Sequence, residues 1–423
     1  MFNKFVCLEK RMSRIIQAVG LDIGSSKIRC VIGEFSEKGT LDIVGIGETE
    51  AKGMRRGIVT ATEAVTDSIR QAVEEAERVS GLEIQKVTIN ISGEHLRGEN
   101  KQGVVAVAGA GREITEDDVA RAMESASAMS LPAGWEIVER IPQEFIVDGQ
   151  DGIIEPVGMI GARLESRVHV VTSPSAGRQN LVKAIHNAGL EIEKMTLEPL
   201  AAAESTLTDD DKEYGSALVN MGSEITSLMI FERGSVRHTA FFPFGGMYFT
   251  RDIAHGLRVS IPEAERIKRA YGCVASFLMD EQERQEIIEI TPVGRNEKRG
   301  LSKEILCDIM SPRAIELLQH IAHEINLSKR QISSGVVLTG GSVAIRGMVE
   351  IAEQVFDAPT RVGIPRSDIF GGLIDEIQTP AWATACGLAL ASMELQLRTS
   401  PIKSTAKRVA QWFGIFREKF MII

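Results

Sequence analysis

The chain has 423 residues, 43% hydrophobic and 25% charged, with 48 Lys plus Arg against 58 Asp plus Glu and a formal net charge of −10. That balance fits a globular protein of about two core-forming domains and excludes a wholly disordered chain, a collagen and a small disulfide scaffold. A uniformly acidic surface repels phosphate backbones, which excludes a general nucleic-acid binder.

Residues 1–12 are short, charged and without the apolar run of a signal peptide, and read as an extension with Met12 as a second candidate start. Ile15–Ile23 is β-branched, Gly24-Ser25-Ser26 turns the chain, and Ile28–Phe35 and Leu41–Gly47 read as further strands. Glu63–Val79 has helical spacing, with Gly81 just past its end. Val87–Ser92 is another strand. A separate unit then runs from Gly93 to Leu164. It holds a strand at Gly103–Ala108, a helix at Thr115–Met129 with a capping-box-like start (Thr115, Asp118), and strands near Trp135–Ile141 and Phe145–Val147. Arg167–Thr172 (strand) and Ala176–Ala188 (helix) follow. A second strand–turn–strand, Ala217–Asn220, Gly222-Ser223 and Ser227–Phe231, repeats the pattern of the first and predicts an internal duplication. Helices are predicted at Pro262–Tyr271, Pro312–Lys329 and Pro380–Glu394, and an apolar strand at Gly335–Leu338. No run of about 20 apolar residues exists, so nothing is expected to span a bilayer.

Three constellations carry candidate chemistry. In Gly20–Arg29 a buried strand ends in Asp22 and opens into a Gly24-Ser25-Ser26 turn, whose backbone N–H groups form a concavity suited to phosphate oxygens. Asp22 is placed to hold Mg²⁺ through water, and Lys27 and Arg29 alternate onto one face of the next strand, within reach of a phosphate. The plain alternative is a hairpin with solvated cations. In Val336–Ser342 a strand runs into Gly340-Gly341-Ser342, which lets backbone approach a flat ligand; a common strand-to-helix turn is the alternative. Glu265 and Lys268 share one helix face and could bracket a ribose, or form a solvated ion pair.

Taken in order, these pieces match the nucleotide site of the actin, Hsp70 and sugar-kinase superfold. Ile141–Asp148, Gly152-Ile153, Pro156–Met159 and Gly161–Glu165 carry a closer likeness, with support from Thr250–Ala254 and Arg266–Cys273. Over nearly its whole length the chain resembles the FtsA family of bacterial cell-division actin homologues. The resemblance implies an α/β actin-like two-domain ATPase fold with an inserted FtsA-type subdomain and a C-terminal amphipathic helix. It implies an extension at 1–12 and a first lobe from 13–85, 166–212 and 379–395. The insert occupies 86–165. The second lobe is 213–242 and 306–378 with an outer part at 243–305, followed by a linker at 396–405 and a tail helix at 406–423. It implies ATP with Mg²⁺ in the cleft. Asp22, Gly24, Ser25 and Ser26 match the first phosphate motif, and Arg29 falls where actin has a phosphate-contacting lysine. Gly222 and Ser223 belong to the second phosphate motif, Glu265 and Lys268 match the nucleoside helix, and Gly340, Gly341 and Ser342 match the adenosine motif. Glu198 lies where Hsp70-like relatives position water or metal. The second phosphate motif departs from the family's Asp-x-Gly-Gly-Gly-Thr: Asn220 lacks the carboxylate, and Glu224 brings a negative charge. Two like charges about 4 Å apart at an effective dielectric of about 20 cost about 4 kcal/mol. The expectation is retained but weakened nucleotide binding and at most weak ATPase activity.

In Lys403–Ile423 the residues Val409, Trp412, Phe413, Phe416 and Phe420 recur as one helical stripe. Lys403, Lys407, Arg408, Arg417 and Lys419 oppose the single acid Glu418, reversing the sign of the rest of the chain, and Thr399-Ser400-Pro401 breaks the chain before them. This reads as an interfacial anchor for an anionic membrane. A helix docked on the body would explain the stripe but not the charge. One such tail binds reversibly, and many tails on a polymer bind firmly. Arg295, Lys298, Arg299 and Lys303 are solvated charge or, as the family implies, a dock for the acidic C-terminal peptide of the tubulin-like division protein FtsZ. His320 and His323 lack a third ligand nearby in sequence and read as ordinary histidines. The five cysteines, Cys7, Cys30, Cys273, Cys307 and Cys386, form no C-x-x-C pair, as in a reducing cytosol. The resemblance therefore implies a self-assembling peripheral protein on the cytoplasmic side of the inner membrane at the division site. There it would tether the FtsZ ring and meet other division proteins. The alternatives are a pilus-assembly actin homologue and a small-molecule kinase of the same superfold.

Overall fold

A computed structural model describes residues 17–36, 39–107, 111–294 and 297–399. Three sheets organise it. The first has six strands, in the order Glu191–Leu197, Lys86–Ile91, Gln17–Ile23, Lys27–Phe35, Leu41–Glu50 and Phe370–Gly372. Its central strand Gln17–Ile23 is buried on both faces from Ala18 onward, which is why Ala18–Leu21 reads as an unbroken apolar run. Helix Thr62–Ser80 covers one face through Val65, Ile69, Ala72, Val73 and Ala76, and ends on Gly81, whose N–H donates to Glu77 O. Helix Ala383–Thr399 covers the other face, so close that a Cβ on Gly20 would stand 2.2 Å from Ala385 O. Phe370–Gly372 lies in the stretch 306–378 assigned by resemblance to the second lobe, yet it extends the first sheet beside Leu41–Glu50.

The second lobe is built on a five-stranded sheet in the order Ser235–Phe242, Thr226–Glu232, Ser216–Met221, Val336–Thr339 and Thr360–Val362. Its outer part carries helices Gly246–Leu257 and Ile261–Tyr271 and the hairpin Ile287–Ile290/Arg299–Ser302. The internal duplication is visible in the pairing. Gln17–Ile23 runs antiparallel to Lys27–Phe35 and parallel to Lys86–Ile91, and Ser216–Met221 runs antiparallel to Thr226–Glu232 and parallel to Val336–Thr339. The lobes are not separate bodies: Leu197, Ala202 and Ala203 share one core with Leu218, Met229, Val337 and Ala383.

The third sheet, Arg97–Ala106, Arg163–Pro174, Trp135–Val147 and Gln150–Ile153, is backed by helix Glu116–Ser127. The Thr115/Asp118 capping box forms as expected. Where two strands were predicted at Trp135–Ile141 and Phe145–Val147, one continuous strand exists. Pro142 lacks an N–H, and the register slips beside it, so that Arg167 faces Glu144 and Val168 faces Pro142. The bulge turns Gln143 toward the second lobe, where its amide donates to Val236 O (2.7 Å), while it also donates to Asn100 Oδ1 (2.9 Å) on strand Arg97–Ala106 of its own sheet.

Two predicted helices differ in extent. The one placed at Pro312–Lys329 runs Lys303–Ser328 with Pro312 inside it; a proline costs one backbone hydrogen bond, and the buried face of Leu306, Met310, Leu317 and Ile321 carries the helix across the gap. The one placed at Pro380–Glu394 is a 3₁₀ turn, Pro380–Trp382, followed by Ala383–Thr399. Among the described residues no helix is long and apolar enough to cross a membrane.

Candidate functional site

A cleft of about 390 Å³ lies between the lobes, and the two hairpins face it. In the first, Gly24 N–H donates to Lys27 O (3.1 Å); in the second, Gly222 N–H donates to Ile225 O (2.9 Å). A Cβ on either glycine would stand 2.8 Å from that same carbonyl. The turns are geometric duplicates, and no described residue accepts from the amides of Ser25, Ser26, Ser223 or Glu224. Free, convergent N–H groups of this kind make an anion cradle.

Polar residues end the two parent strands. Asp22 accepts from Asn90 Nδ2 (2.9 Å), while Asn90 Oδ1 accepts from Ile23 N (2.8 Å). Burial pushes the Asp22 carboxyl up to about 6, with the Arg29 charge opposing it. Asn220, at the matching place, donates to Glu198 Oε1 and to Thr384 Oγ1 (3.1 Å). Glu198 opens helix Glu198–Thr206 and also accepts from Ser227 Oγ (2.7 Å) and Ser92 Oγ (3.3 Å). Burial first, and the Asp22 charge further, push Glu198 up to about 8 against the Ser227 and Ser92 hydrogen bonds, so it is largely protonated at neutral pH.

Lys27 and Arg29 do share a face, and both pair with Glu48, at 3.1 and 2.7 Å. The Arg29 guanidinium also lies 5.5 Å from the centroid of the Trp382 ring. Glu265 and Lys268 are more than a solvated pair. Lys268 Nζ lies 2.7 Å from Glu265 Oε2 and donates to Gly246 O (3.1 Å) and Thr250 Oγ1 (2.9 Å), tying helix Ile261–Tyr271 to the start of helix Gly246–Leu257 on the cleft wall. Burial works against the Glu265 charge, but the Lys268 and Thr250 hydrogen bonds, the Lys268 charge and the Arg269 hydrogen bond outweigh it and hold the carboxyl down at about 2. Gly340 has φ +91, and a Cβ there would stand 2.3 Å from Asn220 Oδ1; Gly341 faces open space, and Ser342 Oγ donates to Gly222 O (2.7 Å).

Glu224 is not the unpaired like charge that the sequence suggested. It accepts from Arg56 N (2.8 Å) and pairs with Arg251 at 3.7 Å. The basic patch is partly neutralised: Lys298 pairs with Glu289 (2.7 Å), and Lys303 with Glu286 (2.6 Å) and Glu283 (3.7 Å). Arg299 is exposed, and Arg295 lies outside the described residues. The whole tail stripe, Lys403–Ile423, lies outside them too. His320 and His323 are exposed, and among the described residues no three His, Cys, Asp or Glu side chains converge as for a metal. Asn90, Ser92 and Thr384 also furnish the cleft but carry no local motif, and Ser227, Thr250 and Trp382 support it from behind through Glu198, Lys268 and Arg29.

The family model described as "Cell division protein FtsA" matches residues 217–387, and one described as "SHS2 domain inserted in FTSA" matches 93–172. The chain is 38% identical over 380 residues to the Cell division protein FtsA of Pseudomonas aeruginosa, covering 89% of each chain. It is 31% identical over 412 residues to that of Escherichia coli, covering 93% of this chain and 96% of the relative. The chain belongs to the FtsA family. Its fold is thus the actin-like one with the FtsA insertion. Solved structures agree at the level of fold: a PilM–PilN type IV pilus biogenesis complex matches with a TM-score of 0.65 at 17% identity, covering 89% of this chain and 99% of that chain. MreB5 of Spiroplasma citri bound to ADP matches with a TM-score of 0.52 at 13% identity, covering 92% and 97%.

Proposed function

We propose that this chain is a nucleotide-dependent assembly subunit of bacterial division that holds ATP with Mg²⁺ between its lobes, self-associates, and tethers the FtsZ ring to the inner face of the cytoplasmic membrane. The observation that carries the nucleotide reading is the pair of duplicate Gly hairpins facing one cleft, with their amides free. The residues fit the ligand. The amides of Ser25, Ser26 and Ser223 would take phosphate oxygens, with Lys27 and Arg29 beside them. Lys268 and Glu265 would meet the ribose, and the bare backbone of Gly340-Gly341 would lie against the base. Asp22 would hold Mg²⁺ through water, an ion that is commonly bound by one carboxylate plus phosphates. When bound, the ion would neutralise phosphate charge.

Glu198 is the candidate for orienting a water, but a carboxyl pushed up to about 8 is mostly protonated at pH 7 and a poor base there. Asn220 adds no second carboxylate. Hydrolysis is therefore slow, and ATP acts chiefly by favouring the closed, assembly-competent state. Membrane contact belongs to the tail residues Lys407, Arg408, Val409, Trp412, Phe413, Phe416, Arg417, Lys419 and Phe420. Arg299 with Lys298 and Lys303 supplies the basic edge for an acidic FtsZ peptide.

The test is titration of the full chain with a fluorescent ATP analogue and Mg²⁺, beside Lys268→Ala. Binding by the parent, weakened about 10–100-fold in the variant, is expected, from loss of charged hydrogen bonds of about 1.5–3 kcal/mol. No saturable binding by the parent would remove the nucleotide reading.

A further inference from the structure

Met54–Arg55 and Ile58–Val59 form a short hairpin on the first lobe, with Arg56-Gly57 as its two-residue loop. Both loop residues have positive φ, +47 and +76, as a type I′ turn requires. A glycine adopts that conformation freely, whereas an arginine is strained in it and stays there only where its surroundings hold it. The surroundings here are both cleft hairpins. Gly57 N–H donates to Ser25 Oγ of the first (3.3 Å), and Arg56 N–H donates to Glu224 Oε2 of the second (2.8 Å). A Cβ on Gly57 would stand 2.2 Å from Ser92 O, so the loop also rests on the cleft floor.

Glu224 is itself fixed from its own lobe. Its side chain is only 15% exposed, and Arg251, on helix Gly246–Leu257, reaches its other oxygen at 3.7 Å. The start of that helix is bonded to the second hairpin, Gly246 N to Gly222 O (3.0 Å) and Met247 N to Ser223 O (2.8 Å). On the other side the Arg56 guanidinium reaches Glu94 at 3.6 Å, where the chain enters the inserted sheet.

We propose that Glu224 is an interlobe positioning residue: by clasping the Arg56-Gly57 turn it sets the separation of the two cleft hairpins. The acid that departs from the family's glycine pattern thus carries out a positioning task of its own. Its partner across the cleft is a backbone amide, so the clasp does not depend on the Arg56 side chain. The geometry stands by itself, and its consequence for ligand release rests on the nucleotide reading above.

The experiment uses the full chain with Glu224→Ala and Glu224→Gln. Amide hydrogen exchange is followed across residues 54–60, and release of a fluorescent ATP analogue is followed by stopped flow. Glu224→Ala is expected to speed exchange at Arg56 and to speed release about tenfold, the size of one lost hydrogen bond to a charged group. Glu224→Gln keeps an oxygen for the Arg56 amide and is expected to restore most of both. Unchanged exchange in Glu224→Ala overturns the proposal, and so does faster exchange without faster release in a chain that binds. If the parent binds no nucleotide, the cleft reading fails on its own, and the exchange result still decides the clasp.

Discussion

Replacing Asn220 by Asp reverses the other departure in the second hairpin and tests the electrostatics of the cleft floor. The Asn220 amide donates to Glu198 Oε1, and a carboxylate cannot. Glu198, pushed up to about 8 by burial, can turn its proton toward the introduced acid, so at pH 6 the pair is held by a shared proton and the change is mild. At higher pH that proton must leave. Two charges about 4 Å apart at an effective dielectric of about 20 then repel by about 4 kcal/mol, which drives the second ionisation up by about 3 pH units. The sign follows. A carboxyl raised in the folded state keeps a proton that the unfolded chain has released, so stability falls as pH climbs from about 4.5 to the folded value. In the parent this loss levels off near pH 8; in Asn220→Asp it continues beyond. Scanning calorimetry at pH 6 and pH 9 reads the difference. Between pH 8 and pH 9 the variant loses about 1.4 kcal/mol that the parent keeps, so a melting-temperature gap that widens by about 1–2 °C at pH 9, and that Mg²⁺ narrows, is expected. An equal gap at both pH values would refute the coupling of residue 220 to Glu198.

Two other measurements reach separate parts of the molecule. Ending the chain after Ser400 should abolish co-sedimentation with anionic liposomes and leave fluorescent-ATP binding unchanged; equal pelleting of both forms would remove the anchor. Gly20→Ala would push a Cβ to 2.2 Å from Ala385 O and 2.6 Å from Ala389 N, so helix Ala383–Thr399 must lift off the first sheet. Chemical denaturation should show a loss of about 1–3 kcal/mol or more.

The hairpins were legible in the sequence because each is a Gly-Ser turn between two largely apolar runs, and their order along the chain disclosed the superfold. The Thr115/Asp118 start was legible because capping is local. Helices Gly246–Leu257 and Met348–Phe356 gave no such sign: their caps are Gly245 and Gly347, with no side chain to accept a hydrogen bond. The long helix Lys303–Ser328 was masked by Pro312, which argues locally for a boundary that the buried face overrides. In the cleft, Asp22, Lys268 and Gly340 could be named from motifs, but Asn90, Ser92 and Thr384 arrive from distant segments. The engagement of Glu224 depends on a turn 168 residues away, and no spacing rule reaches that far.

The common core beneath the cleft has a consequence for how the molecule comes apart. Leu197 and Ala203 pack with Leu218, Met229 and Val337, so neither half owns a finished interior. Cutting the gene at the cleft would yield fragments with raw apolar faces, prone to clump instead of folding. Heating the intact chain should melt both halves in a single step, and any breathing of the cleft must be a flexing of its rim over a floor that stays shut.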